Sequence, residues 1–288
     1  MLFRIQKAAL SDVGTDRGVN QDALLCKIGR NRQYGRICFA VVCDGLGGLS
    51  RGEIASGAFI RRAEEWFSHD LIDLLRQAER ERLSSAQCLH RAGIDWQSII
   101  MEMNDRISRY GQNEGVRLGT TAVLFLSVGC HYLVMHVGDT RCYMTDDRDM
   151  KLLTRDHSLV QKQLDAGILT PAQAALSDKK SVLLQCIGAS DVIRPDQADG
   201  LILHETSVLL CTDGFWRRLS DAELKTSLRA DPAAGEAAMA ATLERLTAEV
   251  KKRGERDNIT ALFLMFLTEN AERESVPVVT PKALVAAC

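Results

Sequence analysis

Asp44, Asp139 and Asp213 each stand beside a glycine, within a residue or two of the end of an apolar run: Phe39 to Cys43, Val134 to Val137 and Ser207 to Thr212. Asp22 and Asp257 precede runs of the same kind. A lone Asp-Gly after a strand is an ordinary turn, since glycine accepts positive φ and aspartate caps its own turn. Five such carboxylates are harder to ascribe to turns. Antiparallel neighbours bring strand ends and strand starts to one edge, and carboxylates gathered there repel unless a hard cation lies between them. An all-oxygen set without Cys or His suits Mg²⁺, Mn²⁺ or Ca²⁺ rather than zinc. Mg²⁺ and Mn²⁺ keep several waters when few carboxylates bind them, and two such ions about 4 Å apart activate a shared water for hydrolysing phosphate esters. No protein nucleophile is then needed. Arg17, five residues before Asp22 in a glycine-containing loop, carries the planar fork that clamps phosphate.

The elements that must position these residues follow from periodicity. Strands are expected at Phe3 to Val13, Ala23 to Ile28 and Arg36 to Cys43, a β-meander with an acidic site at its ends. From Ser50 to about Arg82, apolar residues three or four apart (Ile54, Ala58, Phe59, Ala63, Trp66) predict a long helix, broken near His69. A second helix runs from Ser84 to Tyr110, and the two would cover one sheet as an antiparallel pair. Strands return at Thr120 to Val128, His131 to Val137 and Arg141 to Thr145, with a brief extended piece at Leu152 to Thr154. His157 to Ala175 holds a helix, a break at Gly167 and a Pro171-started helix. Ser177 to Asp199 reads as a long irregular loop, and Leu164 to Gly188 as a flap beside the site that shapes substrate choice. Ser220 to Leu228, with a Ser220/Glu223 capping box, and Ala233 to Lys252 are helical. Ile259 to Leu267 is the last strand. Residues 1–268 form one domain on this reading, and 269–288, with two prolines and no periodicity, form a flexible tail.

Composition excludes several classes of function. The chain has 288 residues, 46% hydrophobic and 26% charged, and a formal charge of -2, so it has no global basic field to hold nucleic acid. Nine scattered cysteines without a Cys-x-x-Cys pair, several inside apolar runs, point to free thiols in a reducing compartment. No run reaches the roughly 18 apolar residues of a membrane span, and no secretory leader opens the chain. A cytoplasmic protein, monomeric and without nucleic acid or membrane span, is the expectation.

The segments SDVGTDRGVNQD, CDGLGGLSRGEIAS, LGTTA, HVGDTRCY, LLTRDHSLV, LLCTDG and RDNIT, in this order, resemble the metal-dependent PP2C-type (PPM) serine/threonine protein phosphatases in their bacterial form. The resemblance spans about Ser11 to Leu267. It implies an α+β fold, an αββα sandwich of two antiparallel β-sheets flanked by antiparallel helix pairs. It also implies two Mn²⁺ or Mg²⁺ ions: Asp44 bridging them, the Gly45 carbonyl in their shell, Asp213 and Asp257 completing the first, and Asp22 holding waters of the second. Arg17 matches the phosphate-binding arginine, while Asn258 and Thr120 support the site. Gly47, Gly48, Gly52, Glu53 and Ser56 match the motif that turns the strand into the first long helix. The activity implied is hydrolysis of phosphoserine and phosphothreonine by a metal-bridging water, without a phosphoenzyme. The partners implied are phosphorylated proteins and a cognate Ser/Thr kinase.

The chain departs from this pattern at two positions. Leu46 stands where many eukaryotic members have a histidine proposed as general acid, which leaves protonation of the leaving alkoxide to water. A third metal of bacterial members uses the Asp of the VGD segment, here Asp139, and an Asp at the position here taken by Arg217. A cation there weakens a third ion by loss of a ligand and by repulsion. His131 and His136 read as structural, His157 as either a general acid or a loop or capping residue, and Cys43 and Cys211 as strand packing. A competing expectation is a pseudophosphatase that uses the fold to bind phosphoproteins. The wording at Gly214 to Arg218 is reminiscent of phosphatases that oppose the threonine kinase of type VI secretion.

Overall fold

A computed structural model describes residues 3–268 except 48–50, 232 and 234. The expected tail and Gly48 of the turn motif lie outside the described residues. Along the chain come β1 (Phe3–Asp12), β2 (Ala23–Asn31), β3 (Gly35–Cys43), β4 (Gly45–Gly47), α1 (Gly52–Glu65), α2 (Leu71–Glu81) and α3 (Ser85–Glu114). Then follow β5 (Leu118–Thr120), β6 (Ala122–Val128), β7 (His131–Val137), β8 (Arg141–Thr145), β9 (Met150–Leu152), α4 (Leu159–Asp165) and α5 (Pro171–Leu176). The chain continues through β10 (Asp196–Leu201), β11 (Thr206–Cys211), α6 (Asp213–Trp216), α7 (Asp221–Ser227), α8 (Gly235–Lys252) and β12 (Ile259–Thr268).

Two five-stranded sheets, ordered β1-β12-β11-β8-β9 and β10-β7-β6-β3-β2, consist of antiparallel pairs. β3 reads as an unbroken apolar run because both of its faces are buried. Its side chains alternate across the sheet: Cys38, Ala40 and Val42 enter the core between the sheets, with Phe125, Leu264 and Phe266. Phe39 and Val41 face α1 to α3, where Phe39 lies 5.2 Å from the Trp66 ring and 5.6 Å from the Trp96 ring. β12 divides in the same way, with Leu262 and Leu264 inward and Phe263 and Met265 against Leu243 and Leu246 of α8. The result is four layers, an αββα sandwich.

The break expected near His69 is a π-helical turn, Trp66–Asp70, that joins α1 to α2. α3 runs four residues beyond the expected Tyr110, to Glu114, and Gly115 ends it in the left-handed region at φ 66°. Two expectations are corrected. β10 lies partly inside the stretch read as an irregular loop, and the extended piece near Leu152 is β9, two residues earlier. Both are edge strands whose side chains are largely solvated, so neither carries apolar alternation. The Ser220/Glu223 capping box forms as expected. Among the described residues no helix is long and apolar enough to cross a membrane.

Candidate metal centre

Register places the five aspartates at one end of the two sheets. Ala23 pairs with Cys43, so Asp22 and Asp44 lie side by side just beyond that pair. Cys211 pairs with Ala261, and the Thr212 amide donates to the Thr260 carbonyl at 3.0 Å, which leaves Asp213 at the mouth as the first residue of α6. Asp257 immediately precedes Asn258 and β12. Asp139 follows β7 in the turn to β8, and its carbonyl accepts the Trp216 indole N–H at 3.1 Å.

Backbone contacts fix Asp44. Its carbonyl accepts from the Thr121 amide at 2.9 Å and the Thr120 hydroxyl at 3.0 Å, and its amide donates to the Thr121 hydroxyl at 3.2 Å. Gly45 then passes between two chain segments, donating to the Gln21 carbonyl at 3.1 Å. A Cβ at Gly45 would lie 2.4 Å from the carbonyl oxygens of both Gln21 and Gly52. Ser56 in the first turns of α1 donates to that Gln21 carbonyl at 2.6 Å, which ties the helix start to the carboxylate end. Gly45→Ala should therefore cost about 1–3 kcal/mol of stability by forcing backbone apart, and should weaken Mn²⁺ binding. Urea unfolding and calorimetric titration check the two effects; a variant equal to wild type in both would contradict this close approach.

Asn258 locks the loop that carries Asp22. Its Oδ1 accepts from the Gln21 amide at 2.9 Å, and its Nδ2 donates to the Val13 and Val19 carbonyls at 2.9 and 3.2 Å. Arg17 meets Asp257 through two hydrogen bonds of 2.9 and 3.1 Å, with half of its side chain exposed. Arg217 donates to Asp213 Oδ2. The third-metal expectation left that ion pair out.

Charge accumulates here without enough internal compensation. Asp22, Asp139 and Asp213 are buried, and Asp44 is partly buried. Burial pushes the Asp22 carboxyl up to about 7, against hydrogen bonds from Thr260 and Thr212. Asp44 is held well above the usual carboxylate range, first by burial and then by repulsion from Asp22, Asp139 and Asp257. Burial and the neighbouring Asp156 raise Asp139 to about 6, while Arg217 opposes them. Two carboxylate oxygens, Asp22 Oδ1 and Asp213 Oδ1, are buried with no hydrogen-bond partner. Anionic oxygens without donors are costly, and a hard divalent cation is the kind of partner that would supply the missing charge.

Several supporting residues carried no signal that singled them out in the sequence. Thr212 donates to Asp22 Oδ2 at 3.0 Å and accepts from the Thr260 amide at 3.0 Å. Arg141 holds Asp156 through bonds of 2.9 and 2.8 Å, and its guanidinium lies 3.3 Å above the Trp216 ring. This braces both sides of Asp139. The doublet in LGTTA and the Arg in HVGDTRCY were legible as motif letters, but their partners lie far along the chain.

Among the described residues, the three candidate ligands whose atoms lie within 4.8 Å of one another are His136, His157 and Asp196, while the aspartates stand further apart, two of them paired with Arg17 and Arg217. The Gly138 amide donates to His157 Nδ1 at 3.3 Å, and His157 Nε2 lies 3.4 Å from Asp196 Oδ2. His136 Nε2 donates to the Arg155 carbonyl at 2.8 Å. The two imidazoles brace the turn before Asp139. Burial also raises the Cys43 and Cys211 thiols, which makes them packing groups rather than nucleophiles.

Protein phosphatase PhpP of Streptococcus pneumoniae is 29% identical over 265 residues, covering 91% of this chain and 98% of that protein. The S. agalactiae serine/threonine phosphatase superposes with a TM-score of 0.74 at 28% identity, covering 91% of this chain and 99% of that one. PppA of Pseudomonas aeruginosa, described as a key regulatory component of the T6SS, superposes with a TM-score of 0.66 at 27% identity over 92% of this chain and 97% of its own. Residues 15–262 match the family model of protein phosphatase 2C, and the chain belongs to that family of serine/threonine protein phosphatases.

Proposed function

We propose that the chain hydrolyses phosphoserine and phosphothreonine in proteins with Mn²⁺ or Mg²⁺, and that it opposes a cognate Ser/Thr kinase. The observation that carries this reading is the pair of buried, donor-free oxygens, Asp22 Oδ1 and Asp213 Oδ1, among mutually repelling carboxylates. Asp44 and the Gly45 carbonyl would serve two ions, Asp213 and Asp257 would complete the first, Asp22 would hold waters of the second, and Asp139 would hold at most a weak third. Bound divalent ions supply a water of lowered pKa and neutralise phosphoryl oxygens.

The chain's own residues do the rest. Arg17, half exposed at the rim beside Asp257, offers its fork to the phosphate. Leu46 places no proton donor next to Asp44, so the leaving alkoxide takes its proton from solvent. Asn258, Thr120 and Thr121 hold the backbone that aims the carboxylates. Beside Leu46 an open groove is lined by Leu118, Leu183, Leu184 and Val192, at the end of the 164–188 flap, which Ile187 pins to Thr120 by two backbone bonds of 2.8 Å. Its open form and its mixed lining, with Arg117, Gln185 and Asp191 beside the leucines, suit a polypeptide segment.

Mn²⁺-dependent release of phosphate from a phosphothreonine peptide, lost in Asp213→Asn, is the expected result. Absence of turnover by folded wild-type protein with Mn²⁺ would favour a phosphoprotein-binding module instead. The similarity to PppA, together with the Gly214 to Arg218 wording, supports a role beside a type VI secretion kinase; a cytoplasmic monomer is part of the proposal. Unchanged phosphorylation of secretion components in a deletion strain would remove that assignment.

A further inference from the structure

We propose that Arg217 is a tethered cation that competes with the divalent ion for the Asp213 carboxylate and so sets the metal affinity of the site. This rests on the reading of Asp213 as a metal ligand. Asp213 opens α6, and Arg217 follows one turn later, at the i, i+4 spacing with the acid on the N-terminal side that favours pairing. The Arg217 amide donates to the Asp213 carbonyl at 2.9 Å, so the helical turn carries the guanidinium back over the carboxylate. There it donates to Asp213 Oδ2, with only 18% of the side chain exposed.

The contact divides the carboxylate. Oδ2 is taken by the guanidinium, and Oδ1 is buried with no donor. The charge of Arg217 reaches further, opposing the burial and repulsion that raise Asp44 and Asp139. A single side chain therefore neutralises part of the anionic cluster that a metal ion would neutralise. A guanidinium and a divalent ion on the two oxygens of one carboxylate repel strongly at that separation. The ion at Oδ1 and the guanidinium at Oδ2 oppose each other across one carboxylate, so loading the ion weakens a charge-assisted, partly buried bond and its affinity is lowered by that cost. An uncharged residue at this position leaves both oxygens of Asp213 open to the ion.

Mn²⁺ titrated calorimetrically into full-length wild type, Arg217→Ala, Arg217→Gln and Arg217→Lys tests this without any activity measurement. Arg217→Ala and Arg217→Gln are expected to bind Mn²⁺ at least about tenfold more tightly, with Arg217→Lys in between. Arg245→Ala, an equal change in net charge on exposed α8, is expected to stay within about twofold, since exposed distant charges are screened. Circular dichroism and thermal unfolding verify folding, and Arg217→Gln, which keeps a hydrogen-bonding end, decides the matter if Arg217→Ala is unstable. Affinity unchanged or weakened in Arg217→Gln overturns the competition while the metal reading stands. No Mn²⁺ binding by wild type or any variant overturns both.

Discussion

Asp44→Asn is expected to lower metal-dependent phosphate release by on the order of a thousandfold or more while the chain folds normally. The hydrogen bonds that seat Asp44 run through its own amide and carbonyl, to Thr121 and Thr120. The substitution therefore removes a charge and leaves the scaffold. It removes the carboxylate on which the repulsion of Asp22, Asp139 and Asp257 converges. With chelator present, the variant should accordingly be more stable than wild type at neutral pH, by on the order of 1 kcal/mol. Opposite signs in activity and stability distinguish a functional charge from a structural one. Steady-state kinetics on a phosphopeptide and thermal unfolding with chelator measure the pair. Activity within tenfold of wild type would remove Asp44 from the centre of the chemistry, and lower stability would mean that its charge is compensated within the protein.

The carboxylates were legible because each interrupts an apolar run abruptly beside a glycine, and antiparallel strands have only two edges on which to collect such interruptions. The sandwich was legible for a related reason: β3 and β12 are buried on both faces, so their runs are continuous, and α1 to α3 carry clear helical periodicity. Their connections were harder. β9 and β10 are solvated edge strands, and DQADGL contains nothing that alternates. What holds the site was hardest to see. Thr212 on Asp22 spans 190 residues and Arg17 on Asp257 spans 240, and no local pattern records such pairs. Arg217 is the instructive case, because its partner is only four residues away. That spacing has meaning only if Asp213 starts a helix, whereas the Thr-Asp-Gly wording reads as a strand followed by a turn. The pairing was hidden because no element was expected where α6 begins.

The same crowding makes stability in chelator fall as pH rises from about 5 to about 7. In the folded protein Asp22 titrates at about 7 and Asp139 at about 6, and Asp44 is raised as well; in the unfolded chain all three return to the ordinary carboxylate value of about 4. Between these limits the native state binds more protons than the unfolded one, so the slope of unfolding free energy with pH is negative. Stability present in full below about pH 4 is lost as pH rises through the folded values, and each unit of difference is worth about 1.4 kcal/mol. A loss of a few kcal/mol by pH 7.5 is the expected scale. His136 acts in the opposite direction, since burial holds its imidazole below the usual histidine value; it is common to wild type and Asp22→Asn, so the difference between their pH profiles isolates the carboxylate. Asp22→Asn should flatten the decline by the contribution of one proton. Saturating Mn²⁺ should reverse it, because the ion binds the deprotonated carboxylates and its stabilisation grows with pH. Urea unfolding across pH 5–8, with chelator and with Mn²⁺, reads both curves. If stability in chelator were level or rising across that window, and unchanged in Asp22→Asn, the buried carboxylates would already have their counter-charges within the chain and would have no need of a metal ion.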